Sequence, residues 1–398
     1  MRIGFSTSVI QRGQTGIAQY VFSLLQALAR HKEHDFVLFV LEQDLPLFEF
    51  ARPQMKIVPV PERYRSPTRD ILWHQTELPR LARAHQLDVV HVPSYRRMLW
   101  RSPCPRVATI HDLAAFHVAR KYDWKRMIYG RVVAAYLARR QEELIAVSKN
   151  TAQDMAKFWH IPAGRVTVIH HGIDLQRFAP REVRPEPTAS RLRFGLQQPF
   201  FLYVARLEHP GKNHVRLIHA FEQFKMETRS PWQLVLAGSD WHGAEVIHET
   251  VAQSWARRDI RTLGFVSASE LPLLYQDASV FVYPSLHEGF GFPALEAMAS
   301  GCPVLCSSRG ALKEVVGDVA VIADPEDVDA LKNEMVRLAS DEELRTRLAH
   351  VGIGWSKQFD WARAAEKTLG VYQRASLKNQ NRPSPVPLPM AASAWRPQ

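Results

Sequence analysis

The feature that most constrains this chain is an alternation of short apolar runs with amphipathic stretches, passed through twice and interrupted once by a proline-rich segment. In the first pass, residues 2–6, 36–40, 88–92, 107–110, 144–147 and 166–169 are brief runs bounded by polar or turn residues. Such runs fit strands of a parallel sheet covered by helices on both faces. Helical periodicity lies between them, from about 17 to 30 and from 124 to 142. Residues 179–190 carry three prolines and little apolar content, the mark of a connector. The alternation then restarts, with runs at 200–204, 234–237, 260–263, 280–282, 304–306 and 319–322 and helices at 213–227 and 327–339.

A chain of 398 residues exceeds what one core usually organises. The expected fold class is α/β, with two Rossmann-like doubly wound domains facing across a cleft. Residues 1–180 form the first, 181–190 the linker and 191–355 the second. Residues 356–375 are expected to form a C-terminal helix packing back toward the first domain, and the proline-rich stretch 376–398 a disordered tail. Ligands of such folds sit beyond the carboxyl ends of the strands, where the strand order reverses.

Composition removes several classes. The apolar runs, such as 36–41, are too short to span a bilayer, and the N-terminus opens directly into a strand without the apolar core of a secretion signal. Cys104, Cys302 and Cys306 have neither a disulfide nor a metal-ligand spacing, so a reducing, cytoplasmic setting is expected. The formal charge of +11 admits nucleic acid, anionic lipid or a phosphorylated substrate. No nucleic-acid recognition motif accompanies it, and nucleic acid is not expected as a partner.

The chemistry concentrates in residues 283–301, YPSLHEGFGFPALEAMASG. A strand ends near Tyr283, a loop with two glycines follows, Pro293 suits the first helical turn, and Gly301 suits the position past its end. Glu288 falls on the loop and Glu296 is expected in the first turn of the helix, beside its positive end. Backbone amides of Gly289, Phe290, Gly291 and Phe292 could receive phosphate or sugar oxygens. Upstream, residues 204–213 (VARLEHPGKN) leave a strand and enter a helix, placing Arg206 and Lys212 where a diphosphate could be gripped. In the first half, the loop 12–20 (RGQTGIAQY) offers Gly16, and TIHDL at 109–113 ends a strand at His111.

Segment 283–301 resembles the E-x7-E motif of retaining glycosyltransferases with the GT-B fold, family 4 in particular. The resemblance implies that Glu288 contacts hydroxyls of the donor sugar and Glu296 the ribose. By the same resemblance Arg206 and Lys212 clamp the donor pyrophosphate, Gly16 lies near the diphosphate and acceptor, and His111 sits beside the reacting sugar. The AVSKN and VIHHGID strings, at 146–150 and 168–174, are similar to further family strings, with His171 where asparagine is commoner.

The implied chemistry is front-face substitution with retention. It uses no metal or other cofactor: a sugar nucleotide is co-substrate and a saccharide or lipid-linked saccharide the acceptor. GDP-mannose is the favoured donor, in polysaccharide or glycolipid synthesis. A UDP-hexose donor and a GT-B sugar-nucleotide epimerase are the alternatives. Asp327-Val328-Asp329 has the spacing of a metal-binding D-x-D, but its place after Pro325 makes Asp327 a helix cap. Between Arg96 and Arg140 basic residues dominate, and the 124–142 helix sets them against Met127, Ile128, Val132, Tyr136 and Leu137, a pattern suited to an anionic membrane surface.

Overall fold

The computed structural model describes residues 1–13, 15–118, 127–181 and 189–380. It contains two parallel sheets. The first has seven strands, β1 Arg2–Ser6, β2 Asp35–Leu41, β3 Met55–Val60, β4 Val89–Val92, β5 Arg106–Ile110, β6 Glu143–Ala146 and β7 Val166–Val168, in the order β3-β2-β1-β4-β5-β6-β7. The second has six, β8 Phe200–Val204, β9 Gln233–Ala237, β10 Ile260–Gly264, β11 Val280–Tyr283, β12 Val304–Ser307 and β13 Val321–Ala323, in the order β10-β9-β8-β11-β12-β13.

The period-two geometry of a strand divides its side chains between two cores. In the first sheet Leu38, Val40, Val89, Val107 and Ile145 face one cluster, whereas Val37, Phe39, Val90, Ala108 and Leu144 face the other. That two-sided burial is why the runs read as continuously apolar.

The sequence missed β3. It holds Lys56 and Pro59, and it pairs only with β2 at the outer edge, where a proline without an N–H is tolerated. The last strand begins at Val321, two residues later than expected. Of the expected 124–142 helix, residues 124–126 lie outside the described residues. The remainder is a π-helical turn, Tyr129–Val133, followed by the helix Ala134–Arg140, which ends where Gln141 turns extended at ψ 144°.

The expected linker falls mostly on residues outside the described set. The last helix, Trp361–Gln380, buries Ala364, Ala365, Leu369, Tyr372 and Ala375 in a core of the first domain. The chain crosses back at Gly172, where a Cβ would fall 2.3 Å from the Trp361 nitrogen. Residues 376–380 are therefore helical and not part of a tail: Lys378 donates to the Glu143 carboxylate at 2.6 Å and so extends the docked helix. Residues 381–398 of the expected tail lie outside the described residues.

Candidate active site

Strand order reverses between β1 and β4 in the first sheet and between β8 and β11 in the second, and a crevice opens at such a point. The two loops leaving β8 and β11 are the ones that carry the cationic and acidic motifs. Leu286 N donates to the Gly211 carbonyl at 3.0 Å and Asn213 Nδ2 to the Pro284 carbonyl at 3.0 Å, which fuses the loops into one unit.

Across this unit Lys212 Nζ donates to Glu288 Oε1 at 2.6 Å, and the same oxygen accepts from Ser285 Oγ at 2.5 Å and Tyr283 OH at 3.0 Å. The Lys212 and Glu288 side chains are only 17% and 14% exposed. Gly310 supports the loop from behind: at φ +64° it packs so closely that a Cβ would meet the Glu288 carbonyl oxygen at 2.6 Å. Ala311 N also donates to that oxygen. Arg206 is held differently. Its guanidinium lies 4.4 Å over the Trp241 ring and 3.3 Å from Glu208 Oε2, and it remains 41% exposed.

Four residues expected to offer amides to a ligand have structural duties as well. A Cβ on Gly289 would lie 1.8 Å from the His111 carbonyl oxygen, so this glycine permits backbone contact between the domains. Gly291, at φ +102°, precedes the helix Phe292–Ala299. Phe290 and Phe292 are buried against His171, which stacks on Phe292 at 4.9 Å and meets Phe290 edge-on at 4.6 Å. Trp361 stacks on His171 at 5.7 Å. An imidazole where asparagine is commoner thus completes an aromatic stack between the domains. Gly16 faces the same place, its built Cβ 3.8 Å from the Phe292 ring.

Glu296 is the fifth residue of its helix and stands in the second turn, not the first, because Phe292 already opens the helix behind Gly291. It is buried. Oε1 accepts from Gln19 Nε2 of the first domain at 3.1 Å and Oε2 from Tyr275 OH at 3.0 Å. Burial raises its carboxyl above the ordinary range, with those two hydrogen bonds pulling the other way. Gly301 adopts φ +79° just past Ser300, as the sequence implied.

His111 directly follows β5, half-buried, with Tyr20 edge-on at 4.8 Å. Burial pushes it down to about 4, so it is a neutral imidazole at physiological pH, and its Nε2 has no hydrogen-bond partner. A second interdomain contact lies nearby. Glu314, from the helix Leu312–Val316, accepts from Lys149 N at 2.8 Å and Asn150 N at 3.1 Å at the start of the helix Lys149–Trp159, and from His170 Nε2 at 2.6 Å. Asp327 caps its helix by accepting from Ala330 N at 2.9 Å, which accounts for the D-x-D spacing.

Sequence reasoning missed Gln19, Ser285 and Tyr283 although all three stand inside the quoted motifs. Tyr275, Trp241 and Glu314 carry no local signal; only the tertiary fold brings them in. The assembled groups, two cations, a held carboxylate and unpaired ring nitrogen beside a glycine-lined domain contact, suit a polyhydroxylated phosphate ester.

Comparison with known proteins gives the family and the fold. Residues 14–177 match the description Glycosyltransferase Family 4, and residues 188–354 match Glycosyl transferases group 1. The O-antigen chain mannosyltransferase B of Escherichia coli is 29% identical over 94% of this chain and 100% of its own length. An MMP alpha-(1->4)-mannosyltransferase of Mycolicibacterium hassiacum is 32% identical over 68% of this chain and 66% of its own. Among solved structures, sucrose-phosphate synthase from Thermosynechococcus elongatus superposes with a TM-score of 0.77 at 21% identity, covering 95% of this chain and 100% of that one. Anabaena HepE in complex with UDP and glucose superposes at 0.72 with 18% identity, covering 94% and 99%. The two family matches flank the proline-rich connector and take in every strand but β1, and the chain belongs to the family 4, group 1 glycosyltransferases of GT-B fold.

Proposed function

We propose that this glycosyltransferase transfers mannose from GDP-mannose, with retention, to a saccharide or lipid-linked saccharide acceptor in polysaccharide or glycolipid synthesis. The observation that carries the proposal is the Lys212–Glu288 contact at the strand-order reversal of the second sheet. The two relatives described above are both named mannosyltransferases, which favours mannose over other hexoses.

In this reading Glu288, fixed by Ser285 and Tyr283, accepts hydroxyls of the donor sugar, and Lys212 turns from Glu288 toward the donor phosphates. Arg206, braced on Trp241, adds a second cation there. As the glycosidic bond breaks, the leaving diphosphate gains charge, which these cations stabilise. His111, neutral and with Nε2 unpaired, donates to or accepts from a sugar hydroxyl. Glu296 accepts a ribose hydroxyl in place of the Gln19 amide. The acceptor oxygen attacks from the leaving group's side and its proton passes to a donor phosphate oxygen, so the protein positions the reactants and supplies no general base. No metal or other cofactor takes part.

A lipid-linked acceptor is supported by the outer face of the first domain. Ile128, Val132 and Tyr136 are 52%, 63% and 44% exposed, as is Trp100 at 50%, among Arg101, Arg131 and Arg140. Leu137, expected on that apolar face, is instead buried in the domain. Exposed apolar side chains ringed by arginine suit the surface of an anionic bilayer on the cytoplasmic side. No helix of the described residues is long and apolar enough to cross a membrane.

The test is a thermal-shift panel of sugar nucleotides, followed by mass spectrometry of turnover with and without acceptor. A donor at a hundred times its Kd stabilises the fold by about 2.7 kcal/mol. GDP-mannose should shift the midpoint most and be consumed only with acceptor. A larger shift with UDP-hexoses replaces the donor, and conversion of the donor alone to an epimer replaces the reaction.

A further inference from the structure

One group of side chains plays no part in the contacts above. His117 follows the short turn Ala114–Phe116 of the first domain, Asp154 lies in the helix Lys149–Trp159, and His287 precedes Glu288 on the loop of the second domain. His117 Nε2 is 2.8 Å and His287 Nε2 3.8 Å from Asp154 Oδ2, and the three donor atoms lie within 4.8 Å of one another. Asp154 Oδ2 is buried and has no hydrogen-bond partner despite these approaches. The rings stack face to face, 4.1 Å apart and 11° from parallel.

Asp154 Oδ2 thus has a ring nitrogen 2.8 Å away but none aligned to donate, and a buried carboxylate oxygen so placed is costly unless a cation satisfies it. Two imidazoles and one carboxylate are a donor set for borderline divalent ions such as Zn²⁺, Co²⁺ or Ni²⁺, whereas Mg²⁺ and Ca²⁺ prefer all-oxygen sites. Bonds of about 2.0–2.2 Å to a tetrahedral ion place its donors roughly 3.3 Å apart. The two separations from Asp154, 2.8 and 3.8 Å, lie on either side of that value, and a turn of the imidazoles out of their stack would bring their nitrogens, within 4.8 Å, toward it as well.

We propose that His117, Asp154 and His287 form a transition-metal site that bridges the two domains, with a fourth position open to water. The site is distinct from the donor-binding groups and does not depend on the donor assigned above. Its occupant pins the lobes at the loop that carries Glu288, so it acts on domain motion and not on the bond-breaking step.

The test uses the full chain, free of any affinity tag and stripped with a chelator, titrated with Co²⁺ while the visible ligand-field absorption is followed. We expect one equivalent of Co²⁺ with the intense band of a four-coordinate site, displaced by Zn²⁺ and not by Mg²⁺. His117→Asn and His287→Asn should each weaken Co²⁺ binding by at least about tenfold. His248→Asn, a histidine remote from the group, should leave it unchanged. Because His117 is 29% exposed, its variant is expected to fold, and the result does not rest on the buried His287 alone. Absence of a stoichiometric band, or a band retained in both variants, overturns the proposal.

Discussion

Replacement of Lys212 by alanine perturbs the site at one atom and should separate catalysis from stability. Lys212 Nζ is 2.6 Å from Glu288 Oε1, and both side chains are more than four-fifths enclosed. Removing one partner of such a pair leaves the other without its counter-charge, which costs up to about 3–5 kcal/mol when burial is complete. Here Ser285 and Tyr283 still donate to Glu288, so the loss should fall below that range. Loss of an electrostatic stabiliser of the transition state costs about 10²–10³ in kcat, or roughly 2.7–4 kcal/mol. The two effects are separable by a paired variant. Lys212→Met with Glu288→Gln replaces the ion pair by neutral groups of similar size, and should recover most of the lost melting temperature while remaining as inactive as Lys212→Ala. Steady-state kinetics and thermal unfolding of the three variants make the comparison. A Lys212→Ala enzyme within about threefold of wild-type kcat/KM, or a paired variant that regains activity with its stability, would refute the assignment.

Other consequences follow from the same geometry. Glu296→Gln should unfold at a higher temperature than wild type at neutral pH. A buried carboxyl raised above its unfolded value contributes stability below that value and loses it as pH rises through the folded one, so the gap should close on acidification; the variant should also lose donor affinity, read by the same melting assay with added nucleotide. Glu314→Ala removes an interdomain helix cap and should cost about 1 kcal/mol in denaturant unfolding. Burial opposes it, but His170 and the two amides hold that carboxyl below its ordinary value. Its contribution is thus present above the unfolded carboxylate range and fades as pH falls through the folded value. Turnover should not be abolished by excess chelator, since the bond-breaking step needs no metal; loss of activity restored by Mg²⁺ or Mn²⁺ would contradict the metal-free transfer. Val132→Asp with Tyr136→Asp should abolish salt-sensitive co-sedimentation with anionic liposomes, and unchanged binding would remove that face from consideration.

The twelve runs read as strands all appear, because burial on both faces leaves an uninterrupted apolar signature. The thirteenth, β3, was hidden because an edge strand tolerates Lys56 and Pro59. The loops bearing Arg206, Lys212 and Glu288 were legible, since glycine and proline mark turns at strand ends. Partner choice was not. That Glu288 would meet Lys212 depends on β8 and β11 being neighbours in the second sheet; that Glu296 would meet Gln19 from 277 positions away, or that His171 would stack on Phe292, depends on how two domains face each other. The misplacement of Glu296 by one helical position, from the end of the first turn to the start of the second, came from reading Pro293 as the helix start, when the positive φ of Gly291 sets it one residue earlier.

The most direct measurement is a crystal structure of the enzyme with GDP-mannose and no acceptor. The mannose hydroxyls should lie on Glu288, the pyrophosphate between Lys212 and Arg206, and the ribose on Glu296 with Gln19 released. A nucleotide bound away from both loops, with the Lys212–Glu288 and Gln19–Glu296 contacts intact, would contradict it.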